Sequence, residues 1–255
     1  MSAMALRIIA CISMLLDHIG FVFNIEILRI IGRLAFPLYL YLLYNGYKHS
    51  SNRVMYAVRL GIFAIISQIP FSLFTEGELL CANGNVFVTL FICLICIWIT
   101  DAMLRNNVAK WVAFLPTAAV FSTYYLGFID SDYGEKGILM AFVFTVFYGR
   151  GYMRKLLTAL GMLCSVFYSY ILDWVLLPVL WIFGKDPGIP TLSTWQMLQV
   201  FSLLALPLIF LYNGQKGKWP IGKPKAQYVK YGFYAFYPAH LLVLWLVAVV
   251  INALM

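Results

Sequence analysis

Asp17 and His18 are adjacent polar residues in a run that is otherwise apolar, Leu6–Ile25. An imidazole can take up and return a proton near neutral pH, and a neighbouring carboxylate can fix its tautomer. The pair therefore indicates acid–base chemistry. A second histidine, His240, follows a stripe of tyrosines in the last apolar run of the chain.

Arginines within apolar runs indicate a site for an anion. Arg33 precedes Pro37 in the second run, and Arg59 lies in the third run, just after Arg53. Guanidinium groups bind phosphate or carboxylate in a bidentate way. Two histidines, one aspartate and several arginines therefore suit proton transfer combined with anion binding.

The composition shows which elements must position these residues. Of 255 residues, 63% are hydrophobic and 11% are charged, whereas soluble domains have about 45–50% apolar and about 25% charged residues. So few charges cannot cover a soluble protein of this size. The sequence therefore predicts an all-α, polytopic transmembrane bundle, and it excludes a nucleic-acid-binding protein, a Rossmann enzyme and a secreted disulfide scaffold.

Nine apolar runs approach or reach the roughly 20 residues that a membrane-spanning helix needs. They cover residues 6–25, 30–47, 54–74, 86–104, 111–128, 137–147, 156–172, 195–212 and 231–254. The sixth run is short, so we expect it to be tilted, re-entrant or extended. A tenth patch, 174–183, contains Pro178 and is predicted to be a re-entrant or interfacial segment. Residues 1–255 show no domain boundary and are predicted to form a single domain.

The basic residues predict the orientation. With the amino terminus in the cytoplasm, most lysines and arginines fall in cytoplasmic loops, and most acidic residues fall outside. We therefore expect nine spans in the cytoplasmic (inner) membrane, with the amino terminus inside and the carboxyl terminus outside. The net charge of +8 is then explained by insertion and by contact with anionic lipids.

The ionisable residues within spans can be structural or functional. Counted along their helices, Asp17 and His18 lie near the bilayer midplane, and His240 lies at nearly the same depth as His18. Asp17 paired with Arg33 or Arg59 could simply lock helices together, and His240 could bond between helices. Each such group costs about 2.5–3.5 kcal/mol at a helix centre. Several of them at matched depth favour a polar cavity.

Three classes of function can use such a cavity. The sequence has no serine nucleophile elbow, no phosphate loop and no zinc-type spacing of cysteine and histidine, so an enzyme would transfer a group directly to its acceptor. A proton-coupled transporter or flippase would use the same groups, although the internal repeats common in transporters are not apparent. A structural or assembly protein would need them only for stability.

A series of short motifs, in order along nearly the whole chain, resembles the TraX family, which is named for the conjugative pilin acetylase. The motifs are Asp17-His18-Ile19-Gly20, Ile31-Gly32-Arg33-Leu34-Ala35-Phe36-Pro37, Arg59-Leu60, Ser67-Gln68-Ile69-Pro70-Phe71, Asn85-Val86-Phe87-Val88-Thr89, Asp132-Tyr133-Gly134 and Lys230-Tyr231 through Tyr237-Pro238-Ala239-His240. The resemblance implies an integral-membrane acetyltransferase that uses acetyl-CoA and acetylates the amino terminus of a pilin subunit. Because family members also occur without a pilus, the acceptor here can be a protein, a glycan or a lipid.

The residues themselves suggest a hypothesis for how the reaction implied by the resemblance would proceed. The basic residues Arg59, Arg53, Arg33 and Lys230 would bind acetyl-CoA, with no metal involved. His18, oriented by Asp17, would deprotonate an amine or hydroxyl of the acceptor. His240 would be the alternative base or would protonate the leaving thiolate, and Arg33 could also bind the acceptor or stabilise an oxyanion.

Overall fold

The computed structural model describes residues 1–149, 151–182, 191–192, 194–218 and 226–254, and these residues fold into helices. The helices are α1 (Ala3–Val22), α2 (Glu26–Gly32), α3 (Ala35–His49), α4 (Arg53–Thr75), α5 (Val86–Arg105), α6 (Lys110–Ala113), α7 (Leu115–Tyr125), α8 (Gly134–Val146), α9 (Tyr152–Ile182), α10 (Thr194–Gln199), α11 (Ala205–Phe210) and α12 (Ala226–Leu254). A 3₁₀ turn, Val200–Leu204, joins α10 to α11. The predicted all-α class is confirmed.

Six stretches among the described residues are long and apolar enough to cross a membrane. They are Ala3–Val22, Glu26–His49, Arg53–Thr75, Val86–Arg105, Tyr152–Pro178 and Tyr228–Leu254. The remaining predicted runs, 111–128, 137–147 and 195–212, form the shorter helices α6 to α8, α10 and α11. These lengths indicate a multi-pass membrane protein, whereas nine crossings and their direction stay predictions.

The predicted re-entrant or interfacial segment, 174–183, is not a separate element in the residues described, and its position relative to the membrane stays a prediction. Residues 174–182 continue α9, which is 31 residues long and carries Pro178 in its interior. A proline inside a helix removes one hydrogen bond and bends the helix, but the flanking bonds can keep the helix continuous. Phe183, the last residue of the predicted segment, lies outside the described residues.

The centre of the bundle is formed by α3 and α5, whereas α2 buries only Gly32. In the apolar 18-residue segments of Glu26–His49 and Val86–Arg105, 61% and 56% of the residues are buried. The corresponding share in Tyr152–Pro178 is 22%. Helix α1 packs against α2, α3 and α12, and α4 packs against α5 and α12. Side chains on the central helices therefore face protein, where polar groups can find partners.

The two ends of the bundle differ in charge. At one end, the amides of Ala3 and Met4 donate to the carbonyls of Gln215 and Lys216 (2.9 and 3.0 Å), and Asn45 at the end of α3 donates to the Tyr212 hydroxyl (3.1 Å). We call this the basic end; it carries Arg7, Lys48, Arg53, Arg105, Arg154, Lys155, Lys216 and Lys218. The opposite end, called the acidic end, carries Glu26, Glu76, Glu78, Asp130 and Asp132.

Asp101 joins α3 to α5 at the basic end. Its side chain is almost fully buried and accepts hydrogen bonds from the hydroxyl of Tyr47 (2.9 Å) and the ammonium of Lys48. The guanidinium of Arg105, one helical turn further along α5, lies 2.9 Å from the other side of the carboxylate. A buried carboxylate with this many donors is well compensated.

We expect Asp101→Asn to lower the free energy of unfolding by about 2 kcal/mol, because two charge-assisted hydrogen bonds weaken. The measurement is the melting temperature of purified protein in detergent. Arg105→Gln is the matched control, since that side chain is 55% exposed and its pair should contribute less than about 1 kcal/mol. Equal melting temperatures for the two variants would contradict a stabilising role for Asp101.

Candidate active site

A cavity of about 220 Å³ lies towards the acidic end and brings distant polar residues together. Its lining comes from α1, α2, α3, α4, the start of α5, the loop before α8, and α12. The polar residues in this lining include Asp17, His18, Arg29, Arg33, Asp132 and Tyr133. The polar cavity that the sequence predicted therefore exists, and we call it the His18 cavity.

The buried ion pair of Asp17 and Arg33 connects α1 to α2. One Nη of Arg33 donates to Oδ1 of Asp17, and Nε of Arg29 lies 3.8 Å from the same oxygen. The pair forms because α1 touches α2 at Gly32, where an added Cβ would come within 2.2 Å of the Asp17 Cβ. Only glycine allows this approach, so the motif Gly32-Arg33 sets the position of the Asp17 carboxylate.

The two histidines meet, although 222 positions separate them in the chain. Nδ1 of His18 lies 2.7 Å from Nε2 of His240, and the two rings stack with centroids 4.9 Å apart. The equal depth predicted for them is confirmed by this contact. Among the described contacts, the imidazole of His18 meets His240, whereas the carboxylate of Asp17 meets arginines, so Asp17 does not orient His18 directly.

The hydrogen bonds of the histidine pair determine its tautomers. Nδ1 of His240 lies 2.7 Å from the carbonyl oxygen of Phe236, and because a carbonyl can only accept, this Nδ1 carries the hydrogen. In a neutral ring, Nε2 of His240 is then an acceptor, so Nδ1 of His18 must donate to it. Nε2 of His18 is left with a lone pair, as a general base requires.

Aromatic rings hold both imidazoles in place. The ring of Phe74 packs edge-on against His18 at 5.2 Å, Phe236 stacks on His240 at 4.9 Å, and Tyr237 lies within 6.4 Å of His18. The tyrosine stripe therefore packs around the site, and at least Tyr237 lines the cavity itself. Rings on several sides restrict rotation of the imidazoles and limit the approach of water.

Two loops at the acidic end, beside the cavity, are bonded to each other. The amide of Gly84 donates to the Asp130 carbonyl, and the amide of Asp132 donates to the Gly84 carbonyl, both at 3.0 Å. Below them, Gln68 donates to the carbonyl of Asn83 (2.8 Å) and accepts from the amide side chain of Asn85 (2.8 Å). The motif residues Gln68 and Asn85 thus position the loops.

These loops place Asp132 and Tyr133 in the lining of the His18 cavity, a placement that the sequence interpretation missed. The ring of Tyr133 stacks on Phe36 at 3.7 Å. Asp132 is itself exposed, but the protein around its carboxyl partly desolvates it and raises its pKa to about 6, although the nearby Arg33 guanidinium opposes the shift. The side chain remains accessible from the cavity. Its motif, Asp132-Tyr133-Gly134, was a signal that could have identified it.

The predicted anion-binding residues divide into two groups. Arg33 lines the His18 cavity, whereas Arg53, Arg59 and Lys230 lie over the rings of Tyr47, Tyr56 and Tyr231 at 4.5, 5.7 and 5.4 Å. Arg59 is about 18 Å along α4 from the part of that helix that lines the cavity, at about 1.5 Å per residue. Its Nε is buried and has no hydrogen-bond partner among the described residues.

The comparisons with known proteins agree with the motifs. The family model described as TraX protein matches residues 2–248. Over 258 aligned positions, the chain is 29% identical to the probable fimbrial assembly protein FimC of Dichelobacter nodosus, and the match covers 95% of this chain and 94% of that protein. No solved structure matches the chain.

The raised pKa of Asp132 predicts a pH-dependent stability. The folded chain binds this proton more tightly than the unfolded chain, in which the carboxyl titrates near 3.9. The stabilising contribution of Asp132 is therefore present below about pH 4 and is lost as the pH rises through about 6. We expect the melting temperature of the wild type, relative to Asp132→Asn, to fall over this range and to level off above about pH 7. A difference that stays constant from about pH 4.5 to about pH 8 would contradict the prediction.

Proposed function

We propose that this chain, which belongs to the TraX family, is an integral-membrane acetyltransferase. It moves the acetyl group of acetyl-CoA to an amine or hydroxyl of an acceptor at the membrane. The observation that carries the proposal is the His18–His240 pair, because its hydrogen bonds leave a lone pair on Nε2 of His18 beside buried arginines. This arrangement is what direct general-base transfer needs.

His18 is the base in this proposal, and His240 is a positioning residue. The acceptor amine or hydroxyl gives a proton to Nε2 of His18 as its nitrogen or oxygen attacks the thioester carbonyl carbon. The positive charge that develops on His18 is shared through the short contact with His240. When the tetrahedral adduct collapses, the carbon–sulfur bond breaks, and the thiolate of coenzyme A receives the proton from His18. The products are the acetylated acceptor and free coenzyme A.

Arg33 and Arg29 supply positive charge for the oxyanion of the tetrahedral adduct. Both line the His18 cavity, and Arg33 is held through its own Nε, which donates to the Arg29 carbonyl (3.2 Å). In the resting state Asp17 pairs with Arg33, and this ion pair offsets the free-energy cost of burying a guanidinium in a membrane protein. Removing one oxyanion donor typically lowers the rate about 10²–10³-fold.

The size of the cavity suits the reacting ends of the substrates rather than a whole coenzyme. At about 220 Å³ it is smaller than the roughly 300–1,000 Å³ of sites for drug-sized ligands. The phosphates of acetyl-CoA must therefore lie outside it. Arg59, with its unpartnered Nε, together with Arg53 and Lys230 near the basic end, fits this task, because phosphates accept from guanidinium and ammonium groups.

The acceptor and the location follow from the family and the relative. The relative is named a probable fimbrial assembly protein, and the family's namesake acetylates pilin. We therefore favour the terminal amine of a pilin- or fimbria-type subunit as the acceptor, with a glycan or lipid hydroxyl as the alternative. The protein would reside in the cytoplasmic membrane with nine spans, its amino terminus inside and its carboxyl terminus outside.

A proton-coupled transporter or flippase is the second candidate function. The observation that favours it is the break between α2 and α3 at Arg33, since discontinuous helices often form substrate sites in transporters. Purified protein in liposomes separates the two: a transporter moves its solute without consuming acetyl-CoA, whereas the enzyme releases free thiol in proportion to acetylated acceptor.

We expect His18→Ala to lower acetyl transfer about 10²–10⁴-fold, the usual contribution of a general base. His240→Leu removes the acceptor for the Nδ1 hydrogen of His18 and should lower transfer at least about tenfold. His240→Gln can still accept that hydrogen through its amide oxygen, so it should recover part of the activity.

The assay follows transfer of radiolabelled acetyl groups, with melting temperatures confirming that each variant folds. Full activity of His18→Ala would overturn its assignment as the base. If His240→Leu and His240→Gln lose activity equally while His18→Ala is inactive, the positioning role of His240 is contradicted. The assignment of His18 as the base then still stands.

Acetyl-CoA should raise the melting temperature of the wild type in proportion to ln(1 + [L]/Kd). Arg59→Gln should need about tenfold or more ligand for the same shift, because a charge-assisted bond to phosphate is lost. Lys216→Gln is the control, since it removes the same charge from an exposed position at the same end. An unchanged response in Arg59→Gln would place the phosphates elsewhere.

A further inference from the structure

A second cavity, of about 360 Å³, lies at the basic end and is separate from the His18 cavity. Helix α3, the connection between α8 and α9, the start of α9, and the chain around the end of α11 form its walls. The lining contains tyrosines, an asparagine, a histidine, a lysine and glycines, but no carboxylate. We call it the Lys155 cavity. The mechanism proposed above does not use it.

One wall of the Lys155 cavity is a network of tyrosine hydroxyls. The hydroxyls of Tyr41 and Tyr148 are 3.0 Å apart, and Asn45 donates to the hydroxyl of Tyr212 (3.1 Å). The ring of Tyr41 lies 5.0 Å from that of Tyr148 and 5.7 Å from that of Tyr212. The wall is thus aromatic, ordered and able to hydrogen-bond, which suits a ligand with both polar and apolar parts.

The opposite side of the Lys155 cavity is positively charged. Lys155 lines it, with its ammonium 5.5 Å from the centroid of the Phe210 ring. Arg154 packs against Gly149, another lining residue, where an added Cβ would meet the arginine Cδ at 2.6 Å. None of the ion pairs found among the described residues includes Lys155 or His49. Within the part of the chain that the structure describes, the charge of Lys155 is therefore not matched by an ion pair with a carboxylate.

The start of α9 adds to this positive potential. Helix α9 begins at Tyr152, and its first turn carries Arg154 and Lys155 but no acidic residue. Cations at a helix amino terminus are unfavourable, because the terminus already carries a partial positive charge, whereas a bound anion is stabilised there. An anion in the Lys155 cavity would compensate the helix terminus and both side chains together.

We propose that the Lys155 cavity binds a phosphate group that belongs to a ligand with an apolar or aromatic part. The phosphate would lie by Lys155 and the start of α9, and the remainder would lie against Tyr41, Tyr148 and Tyr212. The phosphate can come from an anionic phospholipid, since basic pockets between helices suit such headgroups, or from a soluble nucleotide. The site does not depend on the proposed acetyl transfer.

The test measures the melting temperature of purified protein in neutral detergent while one of two probes is added. One probe is phosphatidylglycerol, with phosphatidylcholine as its neutral counterpart, and the other is ADP. The variants are Lys155→Gln and Lys216→Gln, which remove the same charge at the same end, but only the first alters the cavity. His18→Ala is included to separate this site from the proposed active site.

We expect one of the two probes to raise the melting temperature of the wild type, Lys216→Gln and His18→Ala by the same amount. Lys155→Gln should need about tenfold or more of that probe for the same shift. A response to phosphatidylglycerol identifies a lipid headgroup site, and a response to ADP identifies a site for a soluble phosphate ester. The proposal is overturned if neither probe raises the melting temperature, or if Lys155→Gln responds like Lys216→Gln. Loss of the response in His18→Ala would also overturn it, because the ligand would then belong to the active site.

Discussion

The buried ion pair between Asp17 and Arg33 is the interaction on which the rest of the active site depends. Charged groups within a membrane protein are stable only when paired and hydrogen-bonded, so this pair determines how α1 must lie against α2. Gly32 makes the approach possible, because any larger residue would overlap Asp17. Once Asp17 is placed, His18 is placed with it on the same turn of α1, and the histidine on α12 meets it. The ion pair therefore positions His18, and in the proposed reaction it also supplies positive charge.

The same need to pair polar groups explains the motif residues that take no part in the chemistry. Gln68 and Asn85 bond to each other and to backbone carbonyls, and the hydroxyls of Thr89 and Ser131 meet at 2.7 Å. In a soluble protein water would satisfy such groups, but near a bilayer they have to satisfy one another. Their combined effect is to hold two loops beside the cavity and to bring Asp132 into its lining.

The sequence was sufficient for the class of fold and for part of the site, for physical reasons. Low charge and long apolar runs imply membrane helices, and counting along a helix gives relative depth, so the matched depth of His18 and His240 could be predicted. Counting does not give the direction in which a residue faces or which helices are neighbours. This is why the sequence left the partner of Asp17 open among His18, Arg33 and Arg59, and why Arg53, Arg59 and Lys230 were grouped with Arg33. Asp132 was missed because its loop is placed by long-range contacts of Ser131 with Thr89 and by backbone bonds to Gly84, which the sequence does not show.

The separation of the two charged ends has a consequence for how the proposed reaction is organised. Arg59 is about 18 Å along α4 from the His18 cavity, so a donor held by its phosphates near the basic end must be elongated to present its thioester to His18. Acetyl-CoA has that form, with its phosphates and thioester at opposite ends. The acceptor would then approach from the acidic end, where the loops around Gly84 and Asp132 lie beside the cavity. Under the proposed orientation, donor and acceptor reach the base from opposite sides of the membrane, and the acetyl group is transferred within the protein. Two substrates that enter from opposite ends do not compete for one entrance, which suits direct transfer without a covalent enzyme intermediate.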